Sequence, residues 1–268
     1  MLATSVYDDI TIYNMGRSIG KFVPYCVHSF LLGDTLIDTG TPYAGDALLS
    51  AMGSRHINKV INTHYHEDHI GNNHSIQQKY SAEIFAQRNS IPYIKNPRKV
   101  QLRLYQRIVW GYPEGSNARE IGDSIEIGKD TFIVHHVRGH SEGHICLYEP
   151  RKRWLFSGDM FCGIKSRYLR QDEDFNLILT SLEKLSRLKI DTIFCSLKGM
   201  VGNGSEALSK KTAYMKDLRA HVFTLHKAGL STTQIRNKLR GKEDFMFYMT
   251  GGHFSKHHVI KSVLEGTV

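Results

Sequence analysis

His64, His66, Asp68 and His69 bring three imidazoles and a carboxylate together in the run Thr63-His64-Tyr65-His66-Glu67-Asp68-His69-Ile70-Gly71. With 15 histidines and 26 acids in 268 residues, a His-x-His-x-acid-His match is expected by chance fewer than about 0.005 times. His64 and His66 alternate at the end of an extended segment and so point to one side, while Asp68 and His69 fall where the chain turns into a helix and face a second point. Two pairs of donors imply two adjacent metal positions. Imidazole mixed with carboxylate suits zinc, iron or manganese better than calcium or magnesium, which prefer oxygen cages. Each metal needs further donors. Candidates stand in Gly139-His140-Ser141-Glu142-Gly143-His144 and in Leu155-Phe156-Ser157-Gly158-Asp159, where His140 and Asp159 follow short apolar runs.

Rigid strands must present these donors, and β-branched or apolar runs at 26–32, 35–38, 59–63, 83–86, 124–127, 132–137, 144–148, 154–156 and 192–195 read as strands. The Gly33-Asp34 step makes the first two antiparallel neighbours. Helices are signalled after Thr41-Pro42 and over 70–79, 97–109, 172–188 and 206–228, with a break at Gly229-Leu230-Ser231 and a loop over 241–252. Strand signals stop near 205. The chain therefore divides into a catalytic part, 1–205, and a helical extension, 206–268, packed on the same domain.

At 41% hydrophobic and 23% charged residues, the composition is globular rather than disordered or fibrous. Four cysteines, Cys26, Cys146, Cys162 and Cys195, form no Cys-x-x-Cys pair and read as free thiols. No run reaches membrane-spanning length, and the acids Asp8 and Asp9 lie where a secretion signal has a basic end and an apolar run. The expectation is a cytoplasmic protein with no membrane partner. A formal charge of +9 favours an anionic substrate or nucleic acid without choosing between them.

In order along the chain, Leu36-Ile37-Asp38-Thr39-Gly40, the Thr63–Gly71 run, Gly139–His144 and Ser157-Gly158-Asp159 resemble the first four motifs of the metallo-β-lactamase superfamily. The resemblance implies an α/β fold, a four-layer αββα sandwich with a C-terminal helical cap. It also implies that His64, His66 and His140 bind a first metal, that Asp68 and His69 bind a second, and that Asp159 bridges them. Asp38 would orient the ligand loop. A bridging Asp, with histidine at His66, looks like the glyoxalase-II and lactonase branches.

The fifth motif departs from the pattern. Where the superfamily supplies a His beside a Gly, this chain has Cys195-Ser196-Leu197-Lys198-Gly199. An ammonium ~4 Å from a divalent ion costs on the order of 8 kcal/mol at an effective dielectric of ~20. Either Lys198 turns toward substrate, or the second site is weak or empty and Lys198 pairs with Asp68 and Asp159. His253 is a substitute ligand to consider.

Over 97–109, Lys99, Arg103 and Arg107 form a basic stripe at helical spacing, beside an apolar stripe of Val100, Leu104 and Ile108. Such a stripe either recognises an anion or is a solvated face. Tyr93, Tyr105, Trp110 and Tyr112 are candidates to roof a pocket. The extension is basic, and Gly229 to Arg236 resembles a helix-turn-helix opening, but without a third helix or aromatic interleaving it reads as a packing cap rather than a nucleic-acid binder.

The leading function is a metal-dependent hydrolase that turns a metal-bound hydroxide on a small anionic ester, thioester or lactone. Asp68 or Asp159 orients the nucleophile, and Lys198, if it faces the cleft, stabilises the oxyanion or holds a substrate carboxylate. The cofactor is zinc, one or two ions, with iron or manganese as alternatives. Two other readings stand beside it: a phosphodiesterase or nuclease acting on nucleotides or RNA, and a non-catalytic metal-binding sensor.

Overall fold

The computed structural model describes residues 1–266. Its first sheet contains β1 (Leu2–Tyr7), β2 (Ile10–Met15), β3 (Val27–Leu32), β4 (Thr35–Ile37), β5 (Lys59–Ile61), β6 (Glu83–Ala86) and β7 (Ala118–Glu120), paired in that order. Between them run α1 (Gly45–Met52), α2 (Asn73–Tyr80), α3 (Ile91–Lys95) and α4 (Leu104–Val109). The second sheet comprises β8 (Ser124–Ile127), β9 (Asp130–Val137), β10 (His144–Glu149), β11 (Trp154–Gly158), β13 (Thr192–Cys195) and β14 (Gly199–Gly202), in spatial order 14-13-11-10-9-8. The short β12 (Leu169–Arg170) and the helix α5 (Phe175–Leu185) intervene. After them come α6 (Gly204–Lys227), α7 (Thr232–Arg240), α8 (Phe245–Met249), β15 (Phe254–Ser255) and α9 (Lys256–Glu265).

Period-two alternation stacks these elements into layers. In β3, Phe30 and Leu32 face a core between the sheets while Leu31 faces the helices. In β11, Trp154 and Phe156 face the same inner core while Leu155 faces outward. The inner core therefore joins Ile12, Phe30, Ile37 and Ile61 of the first sheet to Phe132, Leu147, Phe156 and Phe194 of the second. Leu48 and Met52 of α1 and Ile76 of α2 cover the outer face of the first sheet. Leu179 and Leu182 of α5, Leu208, Met215 and Val222 of α6, and Val259 and Val263 of α9 cover that of the second. The result is the expected αββα sandwich. No helix of the described residues is long and apolar enough to cross a membrane.

The Gly33-Asp34 hairpin is present, with Leu32 opposite Thr35 and Gly33 at φ +59°. The single helix over 97–109 is not. A 3-10 turn at Pro97–Lys99 ends at Val100 in extended conformation, and α4 begins only at Leu104. Arg103 is the cause: its guanidinium donates to Gly251 O at 3.1 Å and Gln171 Oε1 at 3.2 Å, and its N–H donates to Gln106 Oε1 at 2.9 Å, which holds it extended as the helix cap. Lys99, Arg103 and Arg107 therefore form no stripe, and Leu104 and Ile108 are exposed rather than core. The loop expected over 241–252 contains α8, capped by Asp244. The strands β1, β7 and β14 carry no clear apolar signal, because much of their surface stays in solvent, and the buried strand β2 was also missed.

Phe194 sits at the middle of the inner core. It stacks on Phe156 with ring centroids 4.6 Å apart and meets Phe30 and Trp154 edge-on at 5.6 Å. Phe194→Ala is expected to lower unfolding stability by about 3–5 kcal/mol in urea titration. A loss under about 1 kcal/mol would show that the inner core collapses around the gap.

Candidate metal centre

All the donors sit at strand ends along one edge of the sandwich. β5 stops at Ile61, and the chain then runs through the donor loop to α2. That loop is tied to the turn after β4: Thr39 N–H donates to His69 O at 2.7 Å, and Gly71 N–H to Gly40 O at 2.9 Å. Gly71 is required there, since a Cβ would run into the Gly40 carbonyl. β11 carries a register shift between Phe156 and Gly158, the kind of irregularity that re-aims a chain end. Gly158, at φ +49°, passes so close to Thr63 that a Cβ would lie 2.7 Å from its Oγ1. This close approach delivers Asp159 to the donor loop.

His64 Nε2, His66 Nδ1 and His140 Nε2 form a triangle with sides of 2.9, 3.0 and 3.2 Å. Nitrogens bound to a tetrahedral zinc at about 2.0–2.1 Å stand roughly 3.3 Å apart, so the triangle has the size of a metal site. The proton positions agree. Glu173 Oε1, 2.5 Å from His140 Nδ1, takes the proton on that nitrogen, and Thr63 Oγ1 lies 3.1 Å from His64 Nδ1. Each partner leaves a bare lone pair on the nitrogen inside the triangle. Burial lowers the pKa of His64 and His66, which favours the neutral ring a ligand needs, whereas burial is outweighed at His140 by Glu173 and at His69 by Asp38, which raise theirs.

A second set joins His64, His69 and Asp159. Asp38 holds His69: its Oδ2 lies 2.8 Å from His69 Nδ1 and accepts from Thr63 Oγ1 at 2.7 Å, while its Oδ1 accepts from Thr63 N–H at 2.8 Å. His69 Nε2 then faces Asp159 Oδ1 at 3.6 Å and Asp68 Oδ1 at 3.9 Å. Neither His69 Nε2 nor Asp159 Oδ1 has a hydrogen-bond partner, although both are buried. Buried polar atoms are rarely left unpaired, so these orphans mark a place for a cation. Burial pushes Asp68 up to about 7. Burial also opposes ionisation of Asp159, but His69 and then His140 outweigh it and hold the carboxyl below its usual range.

Asp68, His140 and Asp159 open onto a cavity of about 380 Å³, within the range of small-molecule sites. Lys198 is exposed and is not part of the cavity lining, which takes Leu197 from that segment. Its backbone N–H donates to Cys195 Sγ, and among the described residues its ammonium pairs with neither Asp68 nor Asp159. His253 also stands apart from the donors, 2.6 Å from Tyr105 Oη and 3.6 Å from Asp172 Oδ1. Of the four aromatic candidates, Tyr105 and Trp110 line the cavity, whereas Tyr93 stacks on Tyr65 and Tyr112 accepts from Leu102 N–H.

Sequence reading missed several groups. Glu173 lies in the acid run Asp172-Glu173-Asp174, which signals only a helix start, and Asp174 is the residue that caps it. His144 is buried beside the cluster, its Nε2 accepting from Asp159 N–H at 3.2 Å. Arg170 is buried with Nη1 3.3 Å from His66 Nδ1, and Lys211 is buried on the cavity wall.

A family model described as the metallo-beta-lactamase superfamily matches residues 27–196. A hydroxyacylglutathione hydrolase of Bdellovibrio bacteriovorus is 28% identical over 138 residues, 51% of this chain and 47% of that protein. A beta-lactamase-like protein 2 homolog of Caenorhabditis elegans is 28% identical over 192 residues, 67% of this chain and 58% of that protein. The chain thus spans about half the length of the first curated relatives it matches. Among solved structures, a beta-lactamase domain protein from Burkholderia ambifaria superposes with TM-score 0.71 at 18% identity, covering 98% of this chain and 87% of that one. A metallo-beta-lactamase family protein from Thermus thermophilus gives 0.66 at 19%, covering 96% and 94%. These two show the fold.

The Asp38 contacts generate a prediction. Asp38→Asn tolerates the backbone at φ +57° but turns a double acceptor into a mixed group facing His69. Metal affinity measured by chelator competition is expected to fall about 10–100-fold. Unchanged affinity would show that His69 needs no such restraint.

Proposed function

The chain belongs to the metallo-β-lactamase superfamily, and from that premise we propose that it is a metal-dependent hydrolase of a small acyl compound, an ester, thioester or lactone. The observation that carries this reading is the triangle of imidazole nitrogens beside a largely apolar cavity. Relatives named hydroxyacylglutathione hydrolase support hydrolysis of an acyl compound. A cavity of about 380 Å³ has the size of a small-molecule site, which makes the phosphodiesterase and the sensor outcomes of the test.

His64, His66 and His140 hold the first metal; His69 and Asp159 hold a second, with Asp68 alongside. Zinc fits the donor set, and iron or manganese share its preferences. A divalent metal there acidifies water and polarises a carbonyl oxygen. The chain's own groups do the rest. Glu173 and Asp38 fix ring orientation at His140 and His69, Asp159 keeps its charge to hold the metal, and the Asp68 carboxylate accepts the proton that an attacking water gives up. Trp110 and Leu169 on the cavity wall keep bulk water away. With no histidine at the Lys198 position, the second site is the weaker one. The division at 205 belongs to this reading: 1–205 supplies the metal donors, and 206–268 completes the cavity.

Protein purified without chelator is expected to carry close to one tightly held metal per chain by elemental analysis and to hydrolyse members of a panel of thioesters and lactones. His64→Ala and His140→Ala should each lose most of the metal and all turnover. Full metal occupancy and turnover in either variant would refute the donor assignment. Turnover of bis(p-nitrophenyl) phosphate or RNA alone would favour the phosphodiesterase, and bound metal with no turnover at all the sensor.

A further inference from the structure

The cavity is walled by Val109, Trp110, Leu169, Ile178, Met246 and Phe254, yet one side of this apolar lining carries an ammonium. Lys211, on α6, is only 2% exposed and lines the same space. Its Nζ donates to Gly163 O at 2.9 Å and to Ser166 Oγ at 3.2 Å. An ammonium has three N–H donors, so one is left without a protein acceptor. Among the described residues Lys211 makes no ion pair, and the Phe161 ring, 5.7 Å from Nζ, compensates little.

The nearby acids are otherwise engaged. Glu173 accepts from Arg170 N–H at 2.7 Å and binds His140 through its other oxygen, and Asp159 faces the metal donors. The nearby thiols carry no charge: burial raises Cys162 well above the ordinary range and Cys195 to about 11. The loop that holds Lys211 is itself fixed, since Arg240 Nη2 donates to Ser166 O at 2.7 Å and to Tyr214 Oη at 3.0 Å. Two helices of the extension thus hold a lysine amine with an unused N–H inside an apolar chamber, where burial lowers its pKa and an anionic partner would restore the charge. Buried charge without a partner is strongly disfavoured, and Met or Leu would fill the same space without that penalty.

We propose that Lys211 anchors an anionic group of the substrate, a carboxylate or a phosphate, while the acyl carbon sits at the metal donors of the same cavity. The substrate class is thus an amphiphilic acyl compound with one anionic terminus. This rests on the hydrolase reading, but its test does not need turnover.

The test uses metal-loaded protein and calorimetric titration with dicarboxylates from succinate to sebacate, each compared with the monocarboxylate of the same length. Both probes offer one carboxylate to the metal, so only the second one reports on Lys211. In the unmodified protein a dicarboxylate of matching length is expected to bind at least about tenfold more tightly than its monocarboxylate. An ω-phosphonooxy acid of that length decides the head group: tighter binding than the dicarboxylate assigns phosphate, weaker binding carboxylate. Lys211→Met should erase the advantage and leave monocarboxylate affinity unchanged. Lys211→Gln, which keeps donors for Gly163 and Ser166, serves if the Met variant does not fold. Equal binding of both acids at every length, or an advantage that survives loss of the charge, would overturn the proposal. Failure of the whole acyl panel with these binding results intact would overturn the hydrolase reading instead.

Discussion

Three imidazole nitrogens can serve one metal only if they are brought to a single point, and the edge of this sandwich is organised around holding them there. His64, His66 and His140 stand 2.9–3.2 Å apart at the meeting nitrogens. Such an arrangement persists only where the surrounding structure over-determines it. Glu173 restrains one ring from behind, and Thr63, itself fixed by Asp38, restrains another. The close passage of Gly158 against Thr63 then brings Asp159 to the same point.

The two sheets explain why this restraint is rigid. Donors come from the ends of β5, β9 and β11, strands whose inner faces lie in the core between the sheets, so ring positions inherit the stiffness of packed aromatic layers around Phe156 and Phe194. The cavity, by contrast, takes part of its wall from short elements. Arg170 pairs with Phe254 across a two-stranded ladder, and α8 is a single short helix. The candidate donors therefore sit on the sheets, and the cavity wall draws on the loops and helices around them.

Legibility in the sequence follows the same line. The donors His64, His66, His69, His140 and Asp159 were readable because their types and their places after apolar runs are local properties, and most of the buried strands were readable because both of their faces are apolar. Arg103 defeated the helix read over 97–109, because its side chain reaches residues far away in sequence and fixes its backbone extended. Glu173 was hidden in an acid run that looks like helix capping. Lys211 was hidden in a basic tail, since composition cannot distinguish a buried lysine from a solvated one. Lys198 was conspicuous by its position in a motif, yet its side chain is in solvent. Only folding separates these two lysines.

Every metal donor lies between His64 and Asp159, whereas the ammonium on the cavity wall and the apolar groups of α8 and β15 come from beyond residue 204. Substitutions in one stretch can consequently reshape what enters the chamber without disturbing the ions beside it. Lineages descended from such a chain can diversify their diet of substrates while inheriting the reaction unchanged.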